Sequence, residues 1–373
     1  MDKIYLDHNA TTPLAEEVFE VLKYFFAKRL GNPSSLHVFG REAKKYLSTA
    51  RESIAHFFQV KPQEILFTSG ATEGINFLLK GVAKKSPKGT ILTSSIEHAS
   101  LEKTLLSLEE EGWKIRRLNP GLYGAITPQD LEDAIDETTR MIALSSANNE
   151  TGVKIPLKEI AEIASKHTLP LIIDAVASLG KEPLFFHEGI FGMVFSSHKI
   201  HGPRGVGMVI LRSSHKVAPL ILGGPQESGR RAGSENLEAI MGFSEAISLL
   251  KRDLEKGIAH MEFLKNRLEI ALVEHCGATI NGSGERVCNT SNLSFPGVDG
   301  ESLLIALDLE NIAVSHGSAC SSGALEPSRI LQNMGTPMSS VRSSIRLSLS
   351  RYTTLEEIDQ AIPIICRTVH RLS

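Results

Sequence analysis

One lysine stands out because of the sequence on either side of it. Lys199 lies between two apolar runs in the stretch FSSHKIHGPRGVGMVILR, residues 195–212. The two runs predict strands joined by a glycine-containing turn, which would fix the backbone around the lysine while its amine reaches inward. Burial lowers the pKa of an amine, and a neutral amine can form a Schiff base with a carbonyl. The stretch leaves open an alternative, an exposed hairpin lysine with no chemical role.

Three further features supply chemistry that complements such a lysine. Asp174 follows the apolar run 169–173, at the predicted strand end where α/β sheets place ligands, and its carboxylate could keep a heterocyclic nitrogen protonated. The turn TSGATEG, residues 68–74, leads into a predicted helix whose free N–H groups could bind a phosphate. His98 could stack on a flat ring or move protons. The alternatives are a helix N-cap for Asp174, a plain turn for residues 68–74 and a structural role for His98. Together with the lysine, the three features match the needs of pyridoxal phosphate.

Two residues nearer the C-terminus could act on a substrate. Cys320 lies in NIAVSHGSACSSGALEP, residues 311–327, where small and polar neighbours show no apolar periodicity and therefore favour an accessible loop thiol. Arg346 lies in SSIRLSL, residues 343–349, which alternates like a strand, and an inward arginine there suits bidentate binding of a carboxylate. An incidental cysteine and a structural ion pair remain the alternatives.

The elements that must position these residues alternate between apolar runs and helical periods, which is typical of a sheet covered by helices. From about Asn236 a long helical stretch runs toward His275, and shorter strands and helices follow it. We therefore expect an α/β fold with a large domain over residues 14–256 and a smaller α+β domain built from residues 1–13 and 257–373. The predicted strands of the central sheet are 64–69, 90–95, 141–147, 169–174, 193–196 and 206–211.

Composition narrows the class of protein. The 373 residues are 42% hydrophobic and 22% charged, as in ordinary globular proteins, and the net charge of −3 gives no case for binding nucleic acid or membrane. No apolar run approaches the roughly 18 residues that span a bilayer, and the N-terminus has no secretory apolar region, so we expect a cytoplasmic protein. The four cysteines are scattered and form no CxxC pair, which argues against a disulfide framework or a zinc site.

The chain as a whole resembles a known family. The motifs YLDHNATTP, GNPSSLH, TSGATE, EHAS, NNETG, DAVAS, SSHKIHGPRGVG, GSEN, GSACSSG and SSIRLSL are similar to those of the group I cysteine desulfurases, which are NifS/IscS-like members of the class V aminotransferase family. The lysine motif and GSACSSG are the most specific. The resemblance implies a fold-type I pyridoxal-phosphate enzyme, with a mainly parallel sheet in its large domain. It also implies a homodimer whose active sites lie at the subunit boundary.

The resemblance assigns roles residue by residue. Lys199 would hold the cofactor covalently and later move the substrate's Cα proton, His98 would stack on the pyridine ring and act as acid or base, and Asp174 would pair with the ring nitrogen. Cys320 would attack the substrate sulfur, leaving a persulfide on the enzyme and releasing alanine. The other implied contacts are Ala71, Thr72, Ser196 and His198 with the phosphate, Ser234 with the neighbouring subunit's phosphate, Asn149 with the ring oxygen and substrate, and Arg346 with the substrate carboxylate.

The implied activity is conversion of L-cysteine to L-alanine, with delivery of sulfur to an acceptor or scaffold protein for iron–sulfur clusters or thiolated cofactors. Ala177 departs from the family pattern, because a glutamine that donates to the cofactor's phenolic oxygen usually stands there; His8, Ser228 and His316 also depart from it. Three alternatives stay open: a pyridoxal-phosphate aminotransferase or a selenocysteine lyase, for which Ala177 leaves room, and a degenerate sulfur-relay subunit without turnover, against which the retained Lys199, Asp174, Arg346 and Cys320 argue.

Overall fold

The computed structural model describes residues 3–317 and 327–373. Its strands in chain order are β1 (Ile4–Tyr5), β2 (Ile65–Thr68), β3 (Thr90–Ser94), β4 (Lys114–Leu118), β5 (Thr139–Ser145), β6 (Leu171–Asp174), β7 (Ile190–Ser196), β8 (Gly207–Leu211), β9 (Thr279–Ile280), β10 (Thr290–Ser294), β11 (Ile312–Ala313) and β12 (Ser344–Ser348). Its α-helices are α1 (Glu16–Ala27), α2 (Val38–Phe58), α3 (Ala71–Ala83), α4 (Ala99–Glu110), α5 (Pro128–Ala134), α6 (Leu157–Lys166), α7 (Leu237–Cys276), α8 (Gly300–Leu309), α9 (Arg329–Asn333), α10 (Met338–Arg342) and α11 (Leu355–Leu372).

The central sheet has seven strands in the order β2-β8-β7-β6-β5-β3-β4. Only β8 runs antiparallel to its neighbours β2 and β7, while the other pairs are parallel. The prediction of a mainly parallel α/β sheet is therefore confirmed. The sequence did not reveal β4, whose residues KIRRL have no apolar run, because an edge strand carries charged side chains that face solvent.

Helices cover both faces of this sheet, as the alternation of buried side chains requires. In β2, Ile65 and Phe67 pack into a cluster with residues of α2, α6 and α7, whereas Leu66 between them packs on the other face with residues of α3 and α4. Successive side chains of a strand point to opposite faces, so a strand that is apolar throughout is buried on both. Burial on both faces fixes the positions of the strand ends, and the candidate site lies at their carboxyl ends.

The two ends of the chain pack together in a separate apolar cluster. The short strand β1 pairs in parallel with β11, and residues of β10, β12, α8 and α11 surround it. The 40-residue helix α7 joins this cluster to the central sheet. Its first half packs against the central sheet, and its second half packs in the cluster of the chain ends. The division into domains at residue 257 falls inside α7 and stays a prediction.

In residues 3–317 and 327–373, no helix combines the length and apolar character needed to cross a membrane.

Candidate active site

The site is a cavity of about 590 Å³ at the carboxyl ends of the parallel strands. Residues at the ends of β2, β3, β5, β6 and β7, or within a few residues after them, line it, which is the position expected for ligands in an open α/β sheet. Two distant segments close the cavity, the N-terminal residues 8–11 and the strand β12 through Arg346. The cavity therefore depends on the packing of both chain ends against the central sheet.

The first turn of α3 forms one wall of the cavity. Ala71 and Thr72 begin this helix after Gly70, and all three line the cavity. A Cβ on Gly70 would meet nothing within 4 Å, so there is open space beside the residue that precedes this helix. Free N–H groups and the positive end of the helix dipole favour an anion here. The carboxylate of Glu73 in the same turn is balanced by Arg231, whose Nε lies 2.8 Å from its Oε1.

The end of β7 supplies further donors to the same wall. Ser196 ends the strand, and His198 lies in the single 3-10 turn that follows it. Burial, followed by the charges of Lys199 and Arg204, lowers the pKa of His198 to about 4, so its ring is neutral at pH 7. The ring Nδ1 lies 3.1 Å from the hydroxyl of Thr11. Arg204 also lines the cavity, and together with the start of α3 these groups form a cup suited to binding an anion, here called the anion cup.

Lys199 ends the 3-10 turn, between the antiparallel strands β7 and β8, as the sequence predicts. Its side chain is partly buried and lines the cavity. The amine donates hydrogen bonds to two main-chain carbonyls of the N-terminal segment, those of Asn9 and, at 2.9 Å, Ala10. The N-terminal segment therefore orients the amine that the sequence singled out.

Asp174 and His98 also line the cavity. Asp174 ends β6 and is buried, and its Oδ1 accepts a hydrogen bond of 3.1 Å from the N–H of Val176. Burial raises the pKa of its carboxyl, while the charges of His98 and Lys199 act in the opposite direction. His98 is the N-cap of α4, because its Nδ1 accepts from the N–H of Ser100 at 3.2 Å. The structural role left open for His98 is thus present, as a helix cap, together with its position in the cavity.

Arg346 reaches the cavity from β12 and is only 2% exposed. Its Nη2 lies 2.6 Å from Oδ1 of Asp7, and its Nη1 donates to the main-chain carbonyl of Asn149 at 3.1 Å. Its Nε is buried and has no hydrogen-bond partner in the described part of the chain. Arg346 therefore forms a structural ion pair and also lies where it could bind a substrate. Among the described residues, its Nε–H remains as an unused hydrogen-bond donor.

Asn149 also lines the cavity, which leaves two predicted residues to place. Ser234 is exposed and does not line it. Cys320 lies outside the described residues. Sequence reasoning missed Asp7 and Lys181, both of which contact predicted site residues. Asp7 stands in the quoted motif YLDHNATTP and Lys181 follows the quoted motif DAVAS by three residues, but local sequence gives no sign of the partner that either residue contacts.

Two departures from the family pattern lie in the cavity wall. Ala177 offers no donor there. His8 is 7% exposed and packs edge-on against the ring of Tyr5, at a centroid distance of 4.8 Å. Burial, then the charge of Lys181, lowers the pKa of His8 to about 4, so it lines the cavity as a neutral ring.

The groups around the cavity fit pyridoxal phosphate. The cup at α3 suits its phosphate, the Lys199 amine suits its carbonyl, and the buried carboxylate of Asp174 has no cation within hydrogen-bond reach among the described residues and suits a protonated ring nitrogen. No group of three or more metal-ligating side chains that could hold a metal ion occurs in residues 3–317 and 327–373. A mainly parallel sheet with this set of groups at its strand ends defines a pyridoxal-phosphate enzyme of fold-type I.

The chain belongs to the class-V aminotransferase family, whose model matches residues 4–361. It is 40% identical to the cysteine desulfurase IscS of Dictyoglomus turgidum, over 99% of this chain and 95% of that protein. A solved NifS-like protein superposes with a TM-score of 0.93 at 34% identity, covering all of both chains. The solved structure described as SspA in complex with cysteine superposes with a TM-score of 0.83 at 31% identity, over 95% of this chain and all of that one. Proteins of this family depend on pyridoxal phosphate, which the groups around the cavity fit.

Proposed function

We propose that this protein is a cysteine desulfurase that converts L-cysteine to L-alanine and transfers the sulfur to its own Cys320. The transfer balances as L-cysteine plus the Cys320 thiol giving L-alanine plus the Cys320 persulfide. The sulfur then passes to an acceptor for iron–sulfur cluster or thiocofactor synthesis. The observation that carries the proposal is the convergence of Lys199, Asp174 and Arg346 on one cavity of about 590 Å³.

Each of these side chains has a distinct task. Lys199 would hold the cofactor through Nζ and later move the Cα proton, and Asp174 would keep the ring nitrogen protonated. Bound pyridoxal phosphate withdraws electrons from the substrate's Cα and so weakens the bonds around it. His98 would stack on the ring and exchange protons, while Ala71, Thr72, Ser196 and His198 would bind the phosphate. Arg346 and Asn149 would hold the substrate through its carboxylate and polar groups.

The chain on either side of Cys320 is anchored at the cavity, which supports the proposed role of its thiol. On one side, Ser315 pairs with Arg346 through two main-chain hydrogen bonds of 2.6 and 3.1 Å. On the other side, Arg329 donates to the main-chain carbonyls of Ser95 at 2.9 Å and Glu97 at 2.5 Å, just before His98. The two anchors lie beside the proposed carboxylate-binding and ring-stacking residues.

A homodimer and a separate sulfur acceptor complete the proposal. Ser234 is exposed and does not line this chain's own cavity, which suits a contact with the phosphate of a partner subunit. Large apolar side chains are exposed at Phe26, Leu36 and Leu222, at 73%, 89% and 78%, and we assign them to the subunit boundary. The sulfur acceptor is a scaffold protein or another acceptor protein, and we place the reaction in the cytoplasm.

The deciding experiment measures alanine and protein-bound persulfide formed from L-cysteine by wild type and by Cys320→Ala, both loaded with pyridoxal phosphate. We expect wild type to make both products and the variant to lose the persulfide. Cys276→Ala, at the end of α7 and away from the cavity, is the matched control and should behave as wild type. Absence of alanine from wild type, with turnover restored by a keto-acid acceptor, would establish an aminotransferase instead.

A further inference from the structure

A second lysine lies beside the main chain of Lys199. Lys181 follows β6 in the run DAVASLGK, lines the cavity and is only 8% exposed. Its amine donates to the carbonyl oxygen of Lys199 itself at 2.7 Å and to that of Leu179 at 3.2 Å. A buried lysine amine thus grips the backbone unit that carries the reactive side chain.

The charge of Lys181 is not balanced by a carboxylate. In residues 3–317 and 327–373 its amine has hydrogen bonds to main-chain carbonyls only and takes part in no ion pair. Burial is the main cause that lowers its pKa to about 8, so it is largely an ammonium ion at pH 7. Lys181 interacts electrostatically with six titratable or charged groups, which are Cys288, Arg351, Lys199, His8, His198 and His201. All of these are basic except the Cys288 thiol, whose pKa burial raises to about 12 and which is therefore neutral.

We propose that Lys181 is a positioning residue for Lys199: its hydrogen bond fixes the main chain of Lys199, and its uncompensated charge favours the neutral, nucleophilic form of the Lys199 amine. The inference rests on the proposed function in that Lys199 must act as a nucleophile toward a carbonyl. It adds to that function a residue that acts through Lys199.

The physical argument weighs two opposing influences on the Lys199 amine. The carbonyls of Asn9 and Ala10 accept its hydrogen bonds and favour the protonated ammonium, and Asp174 across the cavity acts in the same direction. A like charge nearby disfavours protonation, and Lys181 is the buried cation attached to the same turn. The carbonyls therefore orient the amine, while Lys181 weakens its hold on the proton.

The test uses cofactor-free protein and measures how fast it captures pyridoxal phosphate as a function of pH. Capture is followed by visible absorbance, and borohydride reduction with peptide mass spectrometry locates the label on Lys199. In Lys181→Met the pH midpoint of capture should rise by about one unit, because the like charge is gone. In Lys181→Arg, which restores charge and donors, the midpoint should stay within a few tenths of a unit of wild type.

Two more variants separate charge from positioning and from general damage. Lys181→Gln keeps a donor without charge, so its midpoint should shift as in the Met variant while its maximal capture rate stays closer to wild type; it also serves if the Met variant does not fold. Lys265→Met removes a lysine that is 6% exposed on α7 and does not line the cavity, and it should leave the midpoint unchanged.

Equal midpoints in wild type, Lys181→Met and Lys181→Gln would overturn the inference, as would equal shifts in the Arg and Met variants. Capture needs no L-cysteine, so a protein that captures the cofactor normally but makes no alanine would overturn the desulfurase proposal alone. A wild type that captures no pyridoxal phosphate at Lys199 would overturn both.

Discussion

The Arg346 guanidinium is held before any substrate enters. Asp7 fixes one of its terminal nitrogens and the carbonyl of Asn149 fixes the other, so the planar group has one orientation. A guanidinium fixed in this way loses little conformational entropy when it binds a carboxylate bidentately. The ion pair with Asp7 is therefore a preorganising contact for the proposed substrate site.

Arg346→Lys should lower kcat/KM for L-cysteine by about 10²-fold, because a lysine cannot replace a buried bidentate donor and Asp7 loses its partner. Steady-state alanine formation measures this loss, with bound cofactor quantified by absorbance and expected to stay unchanged. Arg286→Lys is the matched control, since Arg286 forms a comparably buried pair with Glu269 outside the cavity. Equal losses in the two variants would show that Arg346 acts through stability alone.

Glu97, beside His98, gives a prediction about pH. Its side chain is 3% exposed, and burial raises the pKa of its carboxyl to about 7 from an ordinary value near 4.5. The folded protein thus holds this proton more tightly than the unfolded chain, so the stabilising contribution is complete below pH 4.5 and is lost as pH rises through 7.

In Glu97→Gln the side chain does not titrate, so the variant lacks this pH-dependent contribution to stability. The free energy of unfolding of the variant, relative to wild type, should therefore rise between pH 5 and pH 8 by on the order of 3 kcal/mol. Urea unfolding at a series of pH values measures this difference between the variant and wild type. Hydrogen bonds that the amide fails to make lower the stability of the variant equally at every pH, so they do not alter the change with pH. A difference that stays flat across this range would contradict the burial argument.

At the scale of elements, the anion cup depends on how closely β8 approaches the start of α3. Gly207 begins β8 opposite Thr68 of β2, and a Cβ on it would lie 2.7 Å from the Cα of Gly70 and 2.5 Å from the carbonyl oxygen of Phe195. Both neighbours are backbone atoms of the site, so they cannot give way without moving the cup.

Gly207→Ala should therefore weaken binding of pyridoxal phosphate by tenfold or more and lower the melting temperature. Gly257→Ala in α7 is the control, because its Cβ would make only an ordinary contact of 3.4 Å with Arg351 and alanine favours a helix by up to about 1 kcal/mol. Fluorescence titration with the cofactor and thermal unfolding measure the two effects. Unchanged affinity in Gly207→Ala would show that the cup tolerates displacement of the helix start.

Elements with a strong local pattern could be predicted from the sequence. The six predicted strands of the central sheet carry apolar runs, and each is present, although β7 begins three residues earlier than predicted, at Ile190. Asp174 and Lys199 could be placed at the cavity because each follows such a run. The contacts of Arg346 with Asp7 and of Lys181 with Lys199 could not, since a hydrogen-bond partner far along the chain leaves no periodic trace in the sequence.

At the scale of the whole molecule, the proposed homodimer makes one more prediction. Leu222→Asp places a charge at a side chain that is 78% exposed and assigned to the subunit boundary. We expect the variant to sediment as a monomer and to bind pyridoxal phosphate at least tenfold more weakly, because the partner's phosphate contact through Ser234 is lost. Leu309→Asp, at a side chain 79% exposed at the end of α8, should remain a dimer. A wild type that sediments as a monomer with full cofactor affinity would contradict the shared-site proposal.

The packing of the two chain ends also dictates when a newly synthesised chain acquires its site. Residues 8–11, which orient Lys199, are synthesised before every strand of the central sheet, yet the N–H of His8 and the carbonyl of Leu6 pair with Ser348 of β12, which is synthesised after all of those strands. Closing so long a loop is entropically costly and comes late in folding. A nascent chain can therefore build its central sheet on the ribosome, while its active site is completed only after β12 has emerged.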